Sequence, residues 1–229
     1  MEKQKETKIR TICIDTLTGI MNEMYMESTG KATYDQWRDW GKGVWQLITM
    51  LQKKDFEIIL ILGEPGTGKS SGMRTLPSKT NIWFNADNKN PVWTGGKEEY
   101  GTKANPKSPY HVIPKKYIDI YEHIKAGLKK EVFEEEKFAI LTGHIEDYKT
   151  GNTNKKRLKV LGKLSTKMQL EGKLETVLYS NVIKESSDTK YVLETENDGY
   201  NTARSPMDLF EPIIDNDYNY VINKLLSYK

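Results

Sequence analysis

The chain has 229 residues, of which 37% are hydrophobic and 29% charged, with a net charge of +3 at pH 7. This balance is typical of a globular protein with a hydrophobic core and excludes an intrinsically disordered chain. No apolar run is long enough to cross a bilayer, no signal peptide is apparent, and the single Cys13 excludes an intramolecular disulfide, so we expect a cytoplasmic protein without a membrane partner.

Hydrophobic periodicity predicts the first elements of the chain. Residues 8–15 (KIRTICID) predict a buried strand that ends in an acid, and residues 34–53 predict an amphipathic helix. Residues 56–62 (FEIILIL) form an almost continuous apolar run, which is typical of a strand covered on both faces. A helix should begin at about Lys69 and stay short, because Pro77 lies close behind it.

The rest of the chain continues the alternation of strands and helices. The predicted elements are a strand at 81–85, a loop at 88–116, a helix at 117–130, a strand at 138–142, a mobile basic loop within 149–173, paired strands at 176–183 and 190–195, and a helix at 218–226. This alternation predicts an α/β fold with a mainly parallel sheet flanked by helices and an antiparallel extension near the C-terminus. We assign residues 1–229 to a single domain.

Residues 63–70 (GEPGTGKS) match the pattern G-x-x-x-x-G-K-[ST] in full. Glycines let successive backbone N–H groups converge on phosphate oxygens, Lys69 would neutralise the β and γ phosphates, and Ser70 would ligate magnesium. The sequence therefore predicts a site for ATP and Mg²⁺, with a glycine-rich turn that binds nothing as the alternative. The predicted binding residues are Gly63, Glu64, Pro65, Gly66, Thr67, Gly68, Lys69, Ser70 and Ser71.

Three further polar residues follow predicted strands. Asp15 ends the first strand and is a candidate to hold magnesium through water. Asp87 follows NIWFN and is a candidate to orient or deprotonate an attacking water, and His144 follows FAILTG and is a candidate γ-phosphate sensor. Each also has a plainer interpretation, as an Asp that caps or forms a turn or as a lone histidine at a strand end.

The segment 149–173 contains eight Lys or Arg residues and one acidic residue. A basic segment on a nearly neutral protein favours a local anionic partner, and flexible lysines bind phosphate backbones with little base specificity. We therefore predict weak binding of single-stranded DNA, with a solvated basic loop as the alternative. The candidate contacts are Lys155, Lys156, Arg157, Lys159 and Lys163.

Five segments together resemble one known family: GEPGTGKS, ICIDTLTGIMNEMYM, YDQWRDWGK, TGHIED and ENDGYNTARSPMDLF. With these segments the chain resembles the RecA-like P-loop ATP-binding proteins of bacteriophages, which include single-strand annealing proteins. The resemblance implies a RecA-like P-loop NTPase core, ATP hydrolysis, DNA association and homo-oligomerisation in the cytoplasm of a bacterial host. It also implies water activation by Asp87, γ-phosphate sensing by His144 and a nucleotide contact by Arg204, either in its own subunit or in the neighbouring one.

The order of the motifs departs from that family. There the phosphate loop precedes the acid-bearing strand, whereas here Asp15 precedes Gly63. An exchange of exits between the strands at 56–62 and 138–142 would account for this order. If the two strands lie side by side and parallel, the exchange changes the connectivity but leaves the site intact. We therefore expect a permuted RecA-like sheet.

The leading functional hypothesis is a magnesium-dependent ATPase that acts on single-stranded DNA in phage recombination or annealing. A small-molecule or nucleoside kinase shares the phosphate loop, but such enzymes usually have an Arg-rich lid, and the basic segment here is mostly lysine. A third possibility is a non-hydrolysing module in which ATP organises an oligomer. A GTP switch is disfavoured because the chain has no N-K-x-D motif.

Overall fold

The computed structural model describes residues 7–27, 33–107, 109–130, 132–159, 170–185 and 188–228, and for residues 34, 35, 37–40 and 185 it describes the backbone alone. The helices are α1 (Leu17–Glu27), α2 (Tyr34–Lys53), α3 (Gly96–Tyr100), α4 (Tyr117–Lys129) and α5 (Tyr218–Tyr228). The strands are β1 (Ile9–Asp15), β2 (Phe56–Gly63), β3 (Asn81–Asn85), β4 (His111–Val112), β5 (Phe133–Thr150), β6 (Thr153–Leu158), β7 (Thr176–Glu185), β8 (Asp188–Glu194) and β9 (Ile213–Asp215). Within these ranges no helix combines the length and the apolar character needed to span a bilayer.

The strands form one mixed sheet in the order β4-β3-β1-β5-β2-β7-β8-β9, with β6 paired to the outer part of β5. From β4 to β7 every neighbouring pair is parallel, whereas β8 and β9 add to β7 in antiparallel fashion. The predicted α/β class, with a mainly parallel sheet and antiparallel strands near the C-terminus, is therefore confirmed.

The strand that leads into the phosphate loop, β2, lies directly beside β5 and runs parallel to it. Their register pairs Gly63 with His144, so both strands end at the same edge of the sheet. β1, which carries Asp15, lies on the other side of β5. β2 and β5 thus lie side by side and parallel, which is the condition under which an exchange of strand exits would leave the site intact.

Both faces of the sheet are covered, which explains the nearly continuous apolar strands. Alternate residues of each strand point to opposite faces. Leu60 of β2 joins a core cluster with α1, α2 and α4, whereas its neighbour Ile61 joins a cluster with α5 and the segment after the phosphate loop. The single cysteine, Cys13, is buried in this second cluster.

Capping residues define two helix starts. Thr33 and Gln36 form a capping box at α2: the Gln36 amide donates to Thr33 Oγ1 and the Thr33 amide donates to Gln36 Oε1. The Thr16 hydroxyl accepts from the amide of Gly19 at 2.8 Å in the first turn of α1. α1 begins directly behind the acid that ends β1 and was not predicted from hydrophobic periodicity.

The structure corrects two local predictions. The helix expected from about Lys69 is only a six-residue 3₁₀ segment, Ser70–Thr75; Gly72 packs against the Tyr218 ring and Pro77 follows, so no α-helix propagates. The start of the basic segment is not a mobile loop. β5 continues past the sheet edge and pairs with β6 as a hairpin that turns at Gly151 (φ 61°).

The described residues of the region 88–116 are mainly loop, as predicted, with the short α3 and β4 among them. β9 was not predicted, because three residues are too few to show a period. The remaining predicted strands and helices agree with the structure within a few residues at their ends, apart from β5, which is much longer than the predicted 138–142.

Candidate active site

Four parallel strands bring their carboxyl ends together at one edge of the sheet. β2 ends at Gly63 beside His144 of β5, and β1 ends at Asp15, which pairs with Asn85 at the end of β3. The chain after β3 folds back so that the amides of Ala86 and Asp87 lie 2.7 and 3.3 Å from the Asp15 carbonyl. The predicted gathering of Asp15, Asp87, His144 and the phosphate loop is therefore what the topology produces.

The loop after β2 has the backbone that its glycines allow. Gly66 and Gly68 adopt φ values of 83° and 91°, which disfavour residues with a Cβ. At Gly63 a Cβ would lie 2.6 Å from the Ser180 carbonyl and 2.7 Å from Thr67 Oγ1. Thr67 Oγ1 donates to the Glu64 carbonyl at 2.9 Å. The loop is therefore a built turn in which glycine is required at three positions.

Lys69 lies inside this turn and is only 5% exposed. Its ammonium donates to the carbonyls of Gly63 at 2.9 Å and Glu64 at 2.7 Å. Burial lowers its pKa to about 8, partly offset by the charge of Asp15. The group is thus a desolvated cation with dipoles as its hydrogen-bond partners, and an anion that reached it would be strongly attracted.

The loop is also held from outside by residues that the sequence did not suggest. Ser180 Oγ donates to the Thr67 carbonyl at 2.6 Å, and Asn216 Nδ2 donates to the Gly68 carbonyl at 2.7 Å. The buried Tyr218 hydroxyl donates to the Lys69 carbonyl. β7 and the C-terminal segment therefore turn three loop carbonyls outward, away from the space that an anion would need.

Asp15 is fully buried, which is unusual for a carboxylate. Its Oδ1 accepts from Thr142 Oγ1 at 2.8 Å, while Oδ2 has no hydrogen-bond partner among the described residues. Lys89 Nζ lies 3.7 Å from Oδ2. One carboxylate oxygen is thus buried without a hydrogen bond from the described part of the chain, with the Lys89 ammonium as its nearby countercharge.

Asp87 lies over the start of α1. Its Oδ1 accepts from the Thr16 hydroxyl at 3.2 Å, and its Oδ2 accepts from Lys89 Nζ at 2.9 Å. A Cβ at Gly19 would collide with Asp87 Oδ1. The glycine in TLTGI is therefore the residue that leaves room for this carboxylate.

His144 is half-buried at the end of the sheet part of β5. Its amide donates to Thr18 Oγ1 at 3.2 Å, and its carbonyl accepts from the Lys159 amide at 2.7 Å. Burial and the nearby Lys69 charge lower the imidazole pKa, and the ring Nδ1 has no hydrogen-bond partner among the described residues. A neutral imidazole with an unused nitrogen can form one hydrogen bond to a ligand.

These groups share one cleft of about 760 Å³. Its lining includes the phosphate loop, Asp87, Lys89 and His144, with Trp93 and Tyr191 as aromatic walls. Asp15 is not part of the lining and stands behind Lys89. A triphosphate-sized anion has room in this cleft.

Ser70 and Ser71 follow Lys69 at the start of the 3₁₀ segment. Ser70 is buried and lines the cleft, whereas the Ser71 hydroxyl donates to the Gly68 carbonyl at 2.9 Å. The 3₁₀ segment is too short to supply the helix N-terminus that the sequence predicted. Positive charge in the cleft therefore comes from Lys69, Lys89 and Arg74, with the loop amides as further donors.

Arg204 is not brought into this cleft. Its backbone forms two hydrogen bonds of 2.8 Å with Val177, near the start of β7, and its side chain is exposed. Val177 pairs with Leu60, three residues before Gly63. The side chain therefore starts on the approach to the sheet edge and not at the phosphate loop of its own chain.

The hairpin distributes the basic residues over two faces. Lys155 and Arg157 lie on one face, where the Arg157 guanidinium stacks 4.8 Å from the Tyr148 ring centroid. Arg157 also pairs with Glu146 at 2.8 Å. Lys156 lies on the other face, opposite Asp147. The expected mobile basic loop is thus replaced here by a hairpin with mixed charges on both faces.

Two other predicted DNA contacts fall at or beyond the end of the hairpin. Lys159 is exposed, and its amide is tied to the His144 carbonyl. Lys163 lies outside the described residues.

Sequence reasoning missed the residues that complete the site across long sequence separations. Thr142, Ser180, Asn216 and Tyr218 carry no local signal, because their partners are 113 to 149 positions away. Lys89 did carry a local signal, because it lies two residues after Asp87 in a turn rich in asparagine.

Comparison of the chain with protein-family models, with curated proteins and with solved structures found no significant match.

Proposed function

We propose that this protein binds a nucleoside triphosphate, ATP, in the cleft above the phosphate loop and hydrolyses it. The observation that carries the proposal is the state of Lys69: an ammonium group, 5% exposed, held by two loop carbonyls beneath a polar cleft. Burying a cation lowers stability unless a partner offsets the cost, so such a group is retained where a ligand uses it.

The terminal phosphates of ATP fit the chemistry of this position. Lys69 would exchange its carbonyl contacts for oxygens of the β and γ phosphates, and the amides after Pro65 would donate to the same anion. The neutral His144 would donate or accept one hydrogen bond at the γ phosphate. ATP is preferred to GTP because the chain has no N-K-x-D motif for reading guanine.

The residues present also fit a magnesium ion that travels with the nucleotide. The described residues contain no cluster of three or more His, Cys, Asp or Glu that could hold a metal. A metal bound mainly by phosphate oxygens needs fewer protein groups: Ser70, which lines the cleft, would ligate it, and Asp15, which stands behind Lys89, would act through water. When bound, magnesium neutralises charge on the phosphates.

Asp87 would act on the attacking water. The carboxylate accepts a proton as the water oxygen bonds to the γ phosphorus, and the bond from phosphorus to the β–γ bridging oxygen breaks to release ADP. The proton then passes to the inorganic phosphate. The hydrogen bond from the Thr16 hydroxyl orients the carboxylate for this transfer, and the lack of a side chain at Gly19 leaves room for it.

Single-stranded DNA is the proposed effector of the reaction. The basic hairpin grows directly out of the strand that carries His144, and the Lys159 amide bonds the His144 carbonyl. An anion bound to the hairpin would therefore act on a strand that also contacts the nucleotide. The resemblance to phage RecA-like ATP-binding proteins of the single-strand annealing type supports this role in recombination.

Calorimetric titration with magnesium-ATP and magnesium-GTP tests the binding proposal. ATP should bind with measurable heat and more tightly than GTP, and Lys69→Ala should lose at least tenfold in affinity. Lys79→Ala, at an exposed lysine outside the cleft, is the matched control and should behave as wild type. Absence of heat from folded wild-type protein would refute the proposal.

Phosphate release measured with and without single-stranded DNA tests the activity. Stimulation by DNA supports the recombination ATPase. Turnover only with an added small molecule, which becomes phosphorylated, would identify a kinase instead. Tight ATP binding without turnover under either condition would identify an assembly module.

A further inference from the structure

Hydrogen bonds to its backbone fix the position of Lys89 beside the cleft. The Lys89 amide donates to Asn85 Oδ1 at 3.2 Å, and Asn85 Nδ2 donates to the Lys89 carbonyl at 2.7 Å. Asn85 is fully buried, and its side chain also contacts His111 Nε2 at 3.0 Å. Between them Asn88 adopts a left-handed φ of 48°. The buried side-chain amide of Asn85 thus fixes the backbone of Lys89, while the Lys89 side chain is left to change its conformation.

The ammonium group of Lys89 lies between the two acids of the site. It is 2.9 Å from Asp87 Oδ2 and 3.7 Å from Asp15 Oδ2, and its side chain is 35% exposed. Burial lowers the pKa of Lys89, but the charges of Asp15 and Asp87 outweigh burial and raise it overall. Lys89 therefore carries a full positive charge in the cleft at neutral pH.

The two lysines of the cleft are electrostatic neighbours. The charge of Lys89 is among the causes that lower the pKa of Lys69, so the two ammonium groups face the same space. A phosphate chain that extends past Lys69 toward Asp87 would therefore come within range of a second cation, which carries three donors on a flexible stem.

We propose that Lys89 is a γ-phosphate ligand that is held by Asp15 and Asp87 in the nucleotide-free protein, so that it makes the cleft prefer a triphosphate to a diphosphate. The inference rests on the proposed nucleotide site. With no nucleotide, the charges of two acids and two lysines balance. A γ phosphate adds negative charge beside Asp15 and Asp87, and the ammonium of Lys89 relieves the repulsion by turning one of its donors to the phosphate. A diphosphate does not reach it.

The competing explanation is that Lys89 only stabilises its turn and the acid pair. Such a role would affect all nucleotides equally, because folding of the site precedes binding of any of them. The ratio of affinities for triphosphate and diphosphate therefore separates the two explanations.

The experiment measures the dissociation constants of magnesium-ADP and of a magnesium-loaded, non-hydrolysable ATP analogue. Proteins compared are wild type, Lys89→Met, Lys89→Gln, Lys89→Arg and the exposed control Lys79→Met. For Lys89→Met and Lys89→Gln, the analogue should bind at least tenfold more weakly and ADP within about twofold of wild type. Lys89→Arg should keep most of the preference, and Lys79→Met all of it.

Parallel losses for both nucleotides, or no loss for either, would overturn the proposal. Thermal melting identifies any variant that does not fold, and the Gln variant carries the test if the Met variant fails. If wild-type protein binds neither nucleotide, the proposed function itself fails. Normal wild-type binding with an unchanged ratio in the variants refutes only the role of Lys89.

Discussion

At the residue scale, two ammonium groups and two carboxylates lie close together at the sheet edge beneath the cleft. Asp15 and Asp87 contact Lys89, whereas Lys69 is held by the carbonyls of Gly63 and Glu64. Lys69 therefore gives up only hydrogen bonds to neutral carbonyls when it binds a phosphate, whereas Lys89 gives up ion pairs. Its protonation and the placement of Asp87 lead to two predictions.

Nucleotide affinity should fall at alkaline pH because burial lowers the pKa of Lys69 to about 8. A bound phosphate favours the ammonium form, so binding above pH 8 takes up a proton. The affinity should then fall by up to about tenfold per pH unit above pH 8, and this group should have little effect below about pH 7. Calorimetry in buffers of different ionisation enthalpy measures the proton uptake. A constant affinity up to about pH 9.5 would contradict the assignment.

Gly19→Ala should impair turnover more than binding. The added Cβ would collide with Asp87 Oδ1 and lie 3.3 Å from the Ala86 backbone, so the carboxylate must rotate away. Displacing a general base predicts a loss of about tenfold to a thousandfold in kcat. The free energy of unfolding should stay the same or rise slightly, because alanine has a higher helix propensity than glycine.

Gly43→Ala in α2 is the matched control, because its Cβ would meet the Tyr117 ring and not the cleft. Steady-state phosphate release and melting curves for both variants make the comparison. Equal kcat for Gly19→Ala and wild type would argue against Asp87 as the base.

At the element scale, the phosphate loop depends on parts of the chain far from it. β7 supplies Ser180, and the segment that enters α5 supplies Asn216 and Tyr218, each to a different loop carbonyl. Since the following 3₁₀ segment is short, these contacts replace the support that a long helix would give to the loop.

Tyr218→Phe should loosen the loop while leaving the packing of the ring intact. Loss of a buried hydrogen bond predicts about 1 kcal/mol less stability. Nucleotide affinity should fall a few-fold, equally for ADP and ATP, because the hydroxyl holds the loop and touches no phosphate. Tyr220→Phe, at a partly exposed ring of the same helix, is the control. Denaturant unfolding and binding titrations give both quantities; unchanged values for Tyr218→Phe would exclude this supporting role.

The hairpin predicts which face contacts DNA. Lys155 and Lys156 lie on opposite faces, so only one of the two substitutions to alanine should weaken oligonucleotide binding strongly. Loss of one phosphate contact should also reduce the dependence of affinity on salt by about one counterion. Arg157→Ala should instead lower stability, since Arg157 is paired with Glu146 and stacked on Tyr148. Fluorescence titration with an oligonucleotide at several salt concentrations measures the binding. Unchanged binding in both lysine variants would exclude the hairpin as the DNA contact.

At the scale of the whole molecule, the sheet directs its functional groups to one edge, while Arg204 stays outside the cleft of its own chain. Its exposed side chain near the start of β7 is compatible with a contact to a nucleotide held by a neighbouring subunit. Such a contact would require an oligomer in which one subunit faces the cleft of the next.

Mixing two inactive variants tests this arrangement. Lys69→Ala lacks the phosphate contact and Arg204→Ala lacks the proposed contribution to the neighbour, so mixed oligomers should contain some complete sites. Activity should recover to about a quarter of the wild-type rate for random mixing of two subunit types. Sedimentation at several concentrations establishes the oligomer. Failure to recover activity in a stable mixed oligomer would remove Arg204 from the site.

Structural features that depend on adjacent residues in the sequence were predictable. The alternating strands, the glycines of the phosphate loop and the acids at strand ends could all be read locally, because side-chain period and turn chemistry depend on adjacent residues. The hairpin was misread because Gly, Asn and Lys in TGNTNKK suggest a loop, while the pairing that forms it depends on Ile145 to Thr150 across the turn. The length of the helix after Lys69 was misread because Tyr218 decides the packing at Gly72.

The order of amino acids along the chain already specified the chemistry of the site: the bare loop amides, the lysine, the serine and the carboxylates. Which of these groups meet depends on the fold. That β5 lies between β1 and β2, that Asn216 and Tyr218 support the loop, and that Lys89 lies between Asp15 and Asp87 all follow from strand register and core packing. Such contacts join residues up to 149 positions apart, and their free energy exists only once both faces of the sheet are covered.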